Sequence, residues 1–267
     1  MKKITCKRDD IELYVVSTGQ YYADAGAAMG VYPYKLWHDK VELDADNCLK
    51  MELNCLLIKT GESNILVDCG IGDYVTDRQR KVYKPSKSTL LDELQSVGVS
   101  ASDINFVVLT HLHFDHAGGL LSPDKEFVFP SAKYIIQLDE WNTAQNPDLY
   151  FTASYPLTEH YKMLHDAGNT IIVNGEKEIY KGVSVEKIAG HCPGAQIVKI
   201  KDGDNLIYFA GDAFPSSFHL PAPITSAYEM SRIDLYRQKE IILDSLKRQG
   251  GKLILSHERE NSIVEYS

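Results

Sequence analysis

Four side chains able to bind a metal ion lie within six positions of this chain: His111, His113, Asp115 and His116. The apolar stretch at 104–109 comes directly before them and predicts a buried strand, so the cluster lies where that strand opens into a loop. In an extended chain, residues two apart face the same side, and the imidazoles of His111 and His113 can therefore reach one ion. The fold has to place this cluster at a strand end, close to further ligands.

The chemistry of the cluster limits the ion that it can hold. Imidazole nitrogens combined with carboxylate oxygens suit a borderline cation; zinc fits best, and iron, manganese and cobalt are alternatives. Gly118 and Gly119 let the chain bend past the cluster without a side chain that would intrude on the ion. A histidine-rich surface loop without a metal is the alternative, but the density of ligand-type residues favours the metal site.

Three more candidate ligands each follow a predicted strand: His191, Asp212 and His257. The strands that precede them are predicted at 183–189, 206–209 and 252–256. A single histidine or aspartate after a strand is usually an ordinary loop residue or a cap. The repetition of the same arrangement beside a strong cluster favours one common site.

The order His-x-His-x-Asp-His, then a histidine, an aspartate and a last histidine, each at a strand end, resembles the pattern of the metallo-β-lactamase-fold hydrolases. The resemblance runs from residues 56–70 to His257. The run His-Leu-His-Phe-Asp-His-Ala-Gly-Gly is similar to that of N-acyl homoserine lactonases and methyl parathion hydrolase-like enzymes. Strands flanked by helices indicate a layered α/β protein, and the resemblance implies a four-layer αββα sandwich with its ligands along one edge.

The resemblance also implies two metal sites and a nucleophile. Its implied ligands are His111, His113 and His191 for one metal, Asp115, His116 and His257 for the second, and Asp212 as a bridge between them. Two divalent cations about 3.5–4 Å apart share a water, lower its pKa and so supply a bridging hydroxide. Asp115 and Asp212 are therefore expected to serve catalysis as well as metal binding.

Three positions depart from the pattern of these families. Cys192, next to His191, is either an inert small apolar group or a thiol that reaches the site. Many relatives have a second histidine where this chain has Ala195, but it is not a ligand in the lactonases, so we expect no loss of metal. The lactonases place a substrate-contacting tyrosine three residues after the bridging aspartate. Here that residue is Pro215, which argues against homoserine lactone as the substrate.

Two polar residues outside the ligand pattern are further candidates. His219 is a candidate catalytic residue, since it could donate a hydrogen bond to a substrate oxygen or protonate a leaving group; an ordinary loop histidine is the alternative. Asp68 follows a predicted strand. It either makes the turn there or supports the metal ligands with its carboxylate.

A segment predicted to be irregular, residues 19–47, is rich in aromatic side chains. Five of them lie between positions 20 and 40: Tyr21, Tyr22, Tyr32, Tyr34 and Trp37. A long loop of this composition is too aromatic for disorder and predicts a lid. With a second apolar group at 214–221 it could wall a pocket for an ester or lactone with a hydrophobic tail. Packing against the sandwich or a partner subunit is the alternative.

Periodicity predicts the remaining elements. We expect strands at 12–17, 53–59, 64–68, 133–138, 170–173 and 196–200, and helices at 88–97, 159–166 and 229–249. No linker composition interrupts the chain, which favours a single domain over residues 1–267.

Composition limits the partners and the compartment. The 28 basic and 37 acidic residues give a net charge of −9 without a basic block, so we expect no nucleic-acid partner. The 5 cysteines lack a Cys-x-x-Cys pair and fit a reducing compartment. Charged residues at 7–10 interrupt any apolar leader and no stretch reaches the length of a membrane span, so we expect a cytoplasmic protein without a membrane partner. The aromatic surplus and the resemblance favour a homodimer.

Together these observations predict a dinuclear metal-dependent hydrolase that cleaves an ester-like bond in a small molecule. A lactone or carboxylic ester ranks ahead of a phosphotriester. The resemblance leaves a second enzyme class open, the persulfide dioxygenases. These enzymes use a single iron ion that is bound by two histidines and an aspartate. A non-enzymatic metal-binding protein is the third alternative, and the complete ligand pattern argues against it.

Overall fold

Two mixed β-sheets pack face to face in the computed structural model, which describes residues 1–148 and 152–267. In this part of the chain the first sheet has seven strands, in spatial order β1 (Lys2–Ile4), β2 (Ile11–Asp24), β3 (Cys48–Thr60), β4 (Asn64–Val67), β5 (Ile104–Val108), β6 (Lys133–Gln137) and β7 (Thr170–Val173). The second sheet has six, β8 (Lys177–Tyr180), β9 (Val183–Lys187), β10 (Gln196–Asp202), β11 (Asn205–Phe209), β12 (Gly251–Ile254) and β13 (Ile263–Tyr266). The helices are α1 (Ala25–Met29), α2 (Tyr34–Trp37), α3 (Asp77–Tyr83), α4 (Leu90–Ser96), α5 (Phe114–Ala117), α6 (Leu138–Gln145), α7 (Thr158–Asp166) and α8 (Arg232–Gln249).

The apolar side chains divide into three layers of core. Between the sheets, Leu13 and Leu56 of the first sheet pack with Val198 of the second. The outer face of the first sheet is covered by α1, α4, α6 and α7, and the outer face of the second by α8. Because β3 is buried on both faces, every residue from Met51 to Ile58 is buried and the strand is almost continuously apolar. The predicted four-layer αββα sandwich is confirmed.

Strand β2 is longer than predicted, and it corrects the expectation of an irregular segment at 19–47. The pairing of β2 with β3 shifts register between Ser17 and Gln20, which marks a bulge, and Gly19 there has φ +135°. Beyond the bulge the strand continues to Asp24, whose carboxylate accepts from Ala27 N at 2.7 Å and begins α1. The bulge breaks the period-two alternation, so the sequence pattern ended the strand too early.

Other predicted elements are present with shifted ends. The helices predicted at 88–97, 159–166 and 229–249 correspond to α4, α7 and α8, and α8 begins after Ser231, which accepts from Asp234 N. The pattern missed the strands β1, β8 and β13, each at an edge of its sheet, and the helices α1, α2, α3, α5 and α6, each of eight residues or fewer. Strands of three or four residues are too short for an alternating pattern to be recognised.

No helix in the described part of the chain is long and apolar enough to cross a membrane. All five cysteines are free thiols, and Cys55, Cys69 and Cys192 are buried. Buried cysteines of this kind behave as small apolar side chains in a core.

Loops from both sheets meet at one edge of the sandwich. Strands β4 and β5 are parallel, as are β11 and β12, so the carboxyl ends of each pair lie together. Backbone bonds join the two sheets there: Asn54 N donates to Ser256 O at 2.9 Å, and Gln196 N donates to Thr110 O at 2.8 Å. The loop after β4 also lies against Gly119, where a Cβ would come within 2.2 Å of Cys69 O. Glycine is therefore needed there for close packing.

Candidate metal centre

The cluster of the first sheet is shaped by one short helix. His111 and His113 lie in the loop after β5, and α5 begins directly after His113, whose carbonyl accepts from Ala117 N at 2.9 Å. This single turn carries Asp115 and His116 round to the side of the preceding histidines. The two halves of the motif are thus joined by a helical turn.

The ligand candidates of the second sheet lie on three separate loops. His191 is in the loop between β9 and β10, Asp212 is in a 3₁₀ turn after β11, and His257 follows β12. Hydrogen bonds fix these loops: Ser256 Oγ donates to Asp212 Oδ1 at 3.1 Å, and His257 N donates to Pro215 O at 2.7 Å. Each side chain therefore projects from an anchored backbone.

All seven predicted ligand residues come together, in two sets. In the first set, His191 Nε2 lies 3.2 Å from both His111 Nε2 and His113 Nδ1. In the second set, the Nε2 atoms of His116 and His257 lie 3.1 and 3.0 Å from Asp212 Oδ1. The same two nitrogens lie 3.9 and 3.8 Å from Asp115 Oδ2.

Asp212 lies between the two sets. Its Oδ1 faces the second set, whereas its Oδ2 lies 3.5 Å from His191 Nε2 and 4.0 Å from His111 Nε2. One carboxylate thus presents one oxygen to each group of imidazoles, which is the arrangement that a bridging ligand requires.

The donor atoms suit a pair of cations. The buried Nε2 atoms of His116 and His257 have no hydrogen bond of adequate geometry within the described residues. Their Nδ1 atoms face acceptors that cannot donate, the Asp68 carboxylate and the Glu52 carbonyl, each at 2.8 Å. Nδ1 must therefore carry a proton, and Nε2 faces the centre, where its lone pair would bind a cation in place of a second proton. Burial lowers the pKa of His111 and of His113 well below 6.5, which favours the neutral form that binds metal.

Asp68 lies in the turn after its strand and also makes a hydrogen bond to a candidate ligand. Its Oδ1 accepts from Thr110 N at 2.7 Å, and its Oδ2 accepts from Thr110 Oγ1 at 2.8 Å and from His116 Nδ1. Its backbone has φ +60°, in the left-handed region typical of turns. The two roles predicted as alternatives for this residue are combined in the structure.

Glu229 has the corresponding position behind His191, and sequence reasoning missed it. Its Oε2 accepts from His191 Nδ1 at 2.9 Å, and its Oε1 accepts from Ser226 Oγ at 2.6 Å. Burial lowers the pKa of His191, but the Glu229 carboxylate raises it, to about 9. Nothing in the local sequence distinguishes this glutamate from those of a helix start, and only the fold of the segment before α8 brings it to His191.

Cys192 points to a buried carboxylate, Glu140 of α6. Its Sγ donates to Glu140 Oε2 at 3.2 Å, and Glu140 Oε1 accepts from Leu112 N at 2.6 Å and Tyr155 Oη at 2.8 Å. Burial raises the pKa of the Cys192 thiol well above its usual value, so it stays protonated. The Cys192 thiol and Glu140 thus hold the loop after β5, which carries His111 and His113, beside the loop that carries His191.

His219 is buried, and both of its ring nitrogens have protein partners. Nδ1 lies 2.8 Å from Ser216 Oγ, and Nε2 lies 3.0 Å from the carbonyl of Ala28, to which it donates. Burial and the nearby Lys239 lower the pKa of His219 to about 4. The side chain therefore ties α1 to the segment after Asp212, and these contacts favour the structural interpretation of His219 over the catalytic one.

The aromatic residues of 19–47 and 214–221 mostly pack within the protein. Tyr21 and Trp37 are buried, Phe214 is fully buried, and the rings of Tyr32 and Phe218 lie 6.0 Å apart. These contacts favour the packing interpretation of both segments over a free lid.

Two cavities adjoin the candidate centre. One, of about 80 Å³, lies over Asp115, His191 and Asp212, and its further lining includes Tyr21, Tyr83, Phe114 and Tyr228. The other, of about 350 Å³, borders His257 and has a mixed lining, with apolar residues such as Ala28, Met51 and Phe218 beside charged residues such as Glu258 and Arg259.

A family model described as the metallo-beta-lactamase superfamily matches residues 52–257. The chain belongs to the metallo-β-lactamase superfamily. An N-acyl homoserine lactonase from Bacillus sp. is 25% identical over 240 residues, which cover 84% of this chain and 88% of that protein.

Two solved structures are similar over nearly the whole chain. A probable metal-dependent hydrolase from Staphylococcus aureus has a TM-score of 0.91 and 25% identity, covering 99% of this chain and 94% of that one. AidC, described as a dizinc quorum-quenching lactonase in complex with its N-hexanoyl-L-homoserine product, has a TM-score of 0.81 and 22% identity, covering 98% and 92%. The matches confirm the predicted fold and the prediction of a metal-dependent hydrolase, and with the two clusters they support a divalent-metal centre.

Proposed function

We propose that this metallo-β-lactamase superfamily member is a dinuclear hydrolase that opens a lactone or cleaves a carboxylic ester. The observation that carries the proposal is the position of Asp212. Its two carboxylate oxygens face different sets of imidazoles, at 3.0–3.1 Å on one side and 3.5–4.0 Å on the other. A mononuclear site needs only one of these sets.

The seven residues have distinct places in this proposal. His111, His113 and His191 would hold one cation, Asp115, His116 and His257 the other, and Asp212 both. When bound, two divalent cations, with zinc preferred by this donor set, would lower the pKa of a shared water and polarise the substrate carbonyl.

The surrounding residues orient the ligands. Asp68, Glu229 and the Glu52 carbonyl fix the proton of their imidazoles on Nδ1, away from the centre. The aromatic walls of the smaller cavity restrict access of bulk water, which strengthens the electrostatic interactions inside it.

Lactones and esters are supported by the relatives and by the cavities. The similar curated protein is named an N-acyl homoserine lactonase, and the structure of AidC contains a ring-opened product. In the mixed lining of the cavity beside His257, the apolar residues Ala28, Met51 and Phe218 would pack against the tail of an acyl chain. Since Pro215 occupies the place of the lactonase tyrosine, we rank other lactones and simple esters level with homoserine lactones.

The test is Asp212→Ala, assayed on a panel of lactones, carboxylic esters and phosphotriesters with elemental analysis of each protein. We expect loss of bound metal and a fall in kcat/KM of at least about 100-fold, because the Lewis-acid contribution of several kcal/mol is lost. Asp244→Ala, an exposed aspartate on α8, is the matched control and should keep both.

Three results would count against the proposal. Retained metal and turnover in Asp212→Ala would reject the bridging role. Activity confined to phosphotriesters would reject the substrate class. One iron ion per chain, with no hydrolysis, would favour the mononuclear dioxygenase instead.

A further inference from the structure

A phenol that belongs to neither set of ligands points into the smaller cavity. Tyr21 lies on β2 beyond the bulge, is only 6% exposed, and lines the cavity together with Asp115 and Asp212. Its hydroxyl donates to Asp115 Oδ2 at 3.1 Å, across 94 positions of sequence. The hydroxyl is therefore beside the candidate centre although the residue is distant from the motif.

The ring of Tyr21 is held on two sides. It makes an edge contact with the His257 ring, with centroids 5.6 Å apart, and another with Tyr83, with centroids 6.4 Å apart. The register of β2 against β3 places Tyr21 opposite Met51, and the bulge at Gly19 sets this register. The hydroxyl is thus preorganised by a sheet rather than carried on a flexible loop.

Hydrolysis of an ester places negative charge where such a donor is useful. Water adds its oxygen to the carbonyl carbon, the bond from that carbon to the leaving oxygen breaks with its electron pair on the leaving oxygen, and a proton from the water ends on that oxygen. The products are a carboxylic acid and an alcohol. A fixed hydrogen-bond donor beside the leaving oxygen stabilises the charge that develops there.

The other polar side chains of the cavity outside the ligand sets are less well placed. Tyr228 is 46% exposed, and Tyr83 and Ser154 are only partly buried. Tyr21 is more buried than these three, and its hydroxyl already lies within hydrogen-bond distance of a candidate ligand.

We propose that Tyr21 is a catalytic residue whose hydroxyl gives up its hydrogen bond to Asp115 Oδ2 and donates instead to the leaving oxygen of the ester or lactone, as the bond from that oxygen to the carbonyl carbon breaks. Tyr21 keeps its own proton throughout. The inference rests on the proposed hydrolase function.

The experiment compares Tyr21→Phe with Tyr14→Phe. Tyr14 is on the same strand, and its hydroxyl also donates to a carboxylate, Glu12 Oε2 at 2.5 Å, but it is outside the cavity. We expect Tyr21→Phe to lower kcat/KM about 10- to 100-fold for lactones and alkyl esters, the range for a hydrogen bond to a charged oxygen. For 4-nitrophenyl esters, whose leaving oxygen is stable without a donor, the loss should be under about 3-fold. Tyr14→Phe should match the wild type on both.

A second readout does not depend on turnover. We expect Tyr21→Phe to keep its full metal content by elemental analysis. Its affinity for N-hexanoyl-L-homoserine, measured by calorimetry, should fall about 10-fold, because the hydroxyl of this product is the former leaving oxygen.

Several outcomes would overturn the proposal. Equal losses for alkyl and 4-nitrophenyl esters, or loss of metal, would mean that Tyr21 only positions Asp115. Unchanged alkyl-ester rates and product affinity would remove any role for its hydroxyl. A wild-type protein inactive on every panel member would refute the hydrolase function itself, whereas an active wild type with equal losses would refute only the role of Tyr21.

Discussion

The imidazoles at the candidate centre differ from that of His219 in the number of ring nitrogens that are hydrogen-bonded to supporting groups of the protein. His116, His191 and His257 each have an acceptor behind Nδ1, so their Nε2 atoms face other ligand atoms across the centre. His219 instead has protein partners on both nitrogens, one of them the Ala28 carbonyl. At the scale of a residue, these contacts distinguish a histidine that can bind metal from one that holds two segments together.

His219→Gln tests this difference. Glutamine can donate to the Ala28 carbonyl but cannot titrate. Because the pKa of His219 is lowered to about 4 in the folded protein from 6.5, the unfolded chain binds a proton between these values and the folded protein does not. Acidification through this window therefore destabilises the wild type, by about 1–3 kcal/mol.

The measurement is urea unfolding at pH 6.5 and at successive steps toward pH 4. The wild type should lose more stability over this range than His219→Gln. The pH–rate profiles of the two proteins should coincide. A changed apparent pKa in the profile of the variant would instead support His219 as a catalytic acid.

Helix α8, which covers the outer face of the second sheet, also contacts the segment that follows Asp212. The buried ammonium of Lys239 donates to the carbonyls of His219 at 2.6 Å, Pro221 at 3.2 Å and Ile224 at 2.6 Å. The same Nζ lies 4.9 Å from the centre of the Phe214 ring. One side chain of the helix thus determines the path of the loop between Asp212 and Glu229.

Lys239→Met keeps most of the side-chain length but removes all three donors. The three carbonyls lose this partner, so we expect the free energy of unfolding to fall by about 2–4 kcal/mol, measured by urea titration. Lys247→Met, an exposed lysine on the same helix, is the matched control and should change stability by less than about 0.5 kcal/mol. Equal stability of the two variants would contradict the role given to Lys239.

In the whole molecule, the candidate ligands come from both sheets. Four of them follow β5 of the first sheet: His111, His113, Asp115 and His116. The other three, His191, Asp212 and His257, are on loops of the second sheet. Each set contains residues from both sheets, so bound cations would join the two halves of the sandwich across its edge.

Removal of the metal should therefore lower the stability of the entire fold. A ligand that binds only the folded state stabilises it by about 3–4 kcal/mol at 100 to 1,000 times its Kd, so we expect dialysis against a chelator to lower the Tm by about 5–15 °C. Differential scanning calorimetry before and after addition of zinc measures this. The Tm of Asp212→Ala should change little with the chelator. A wild-type Tm that did not change would contradict the proposal that bound cations join the two sheets.

Most of the candidate centre could be predicted from the sequence because its signals are local. The four candidate ligands at 111–116 form a compact pattern at a strand end, and His191, Asp212 and His257 each follow a recognisable apolar strand. Helix α8 was predictable for the same reason, since its apolar period lies within the element, although the predicted start at 229 lay before the Ser231 cap.

The tertiary structure decided the rest. Tyr21 reaches Asp115 across 94 positions, and Glu229 reaches His191 across 38. The second half of β2 exists because β3 pairs with it beyond a bulge, and the two partners of His219 come from different segments. A pattern of neighbouring residues determines local conformation and chemical type, but the partner of a buried polar group depends on which distant segment packs against it, and that is set only when the sheets close on each other.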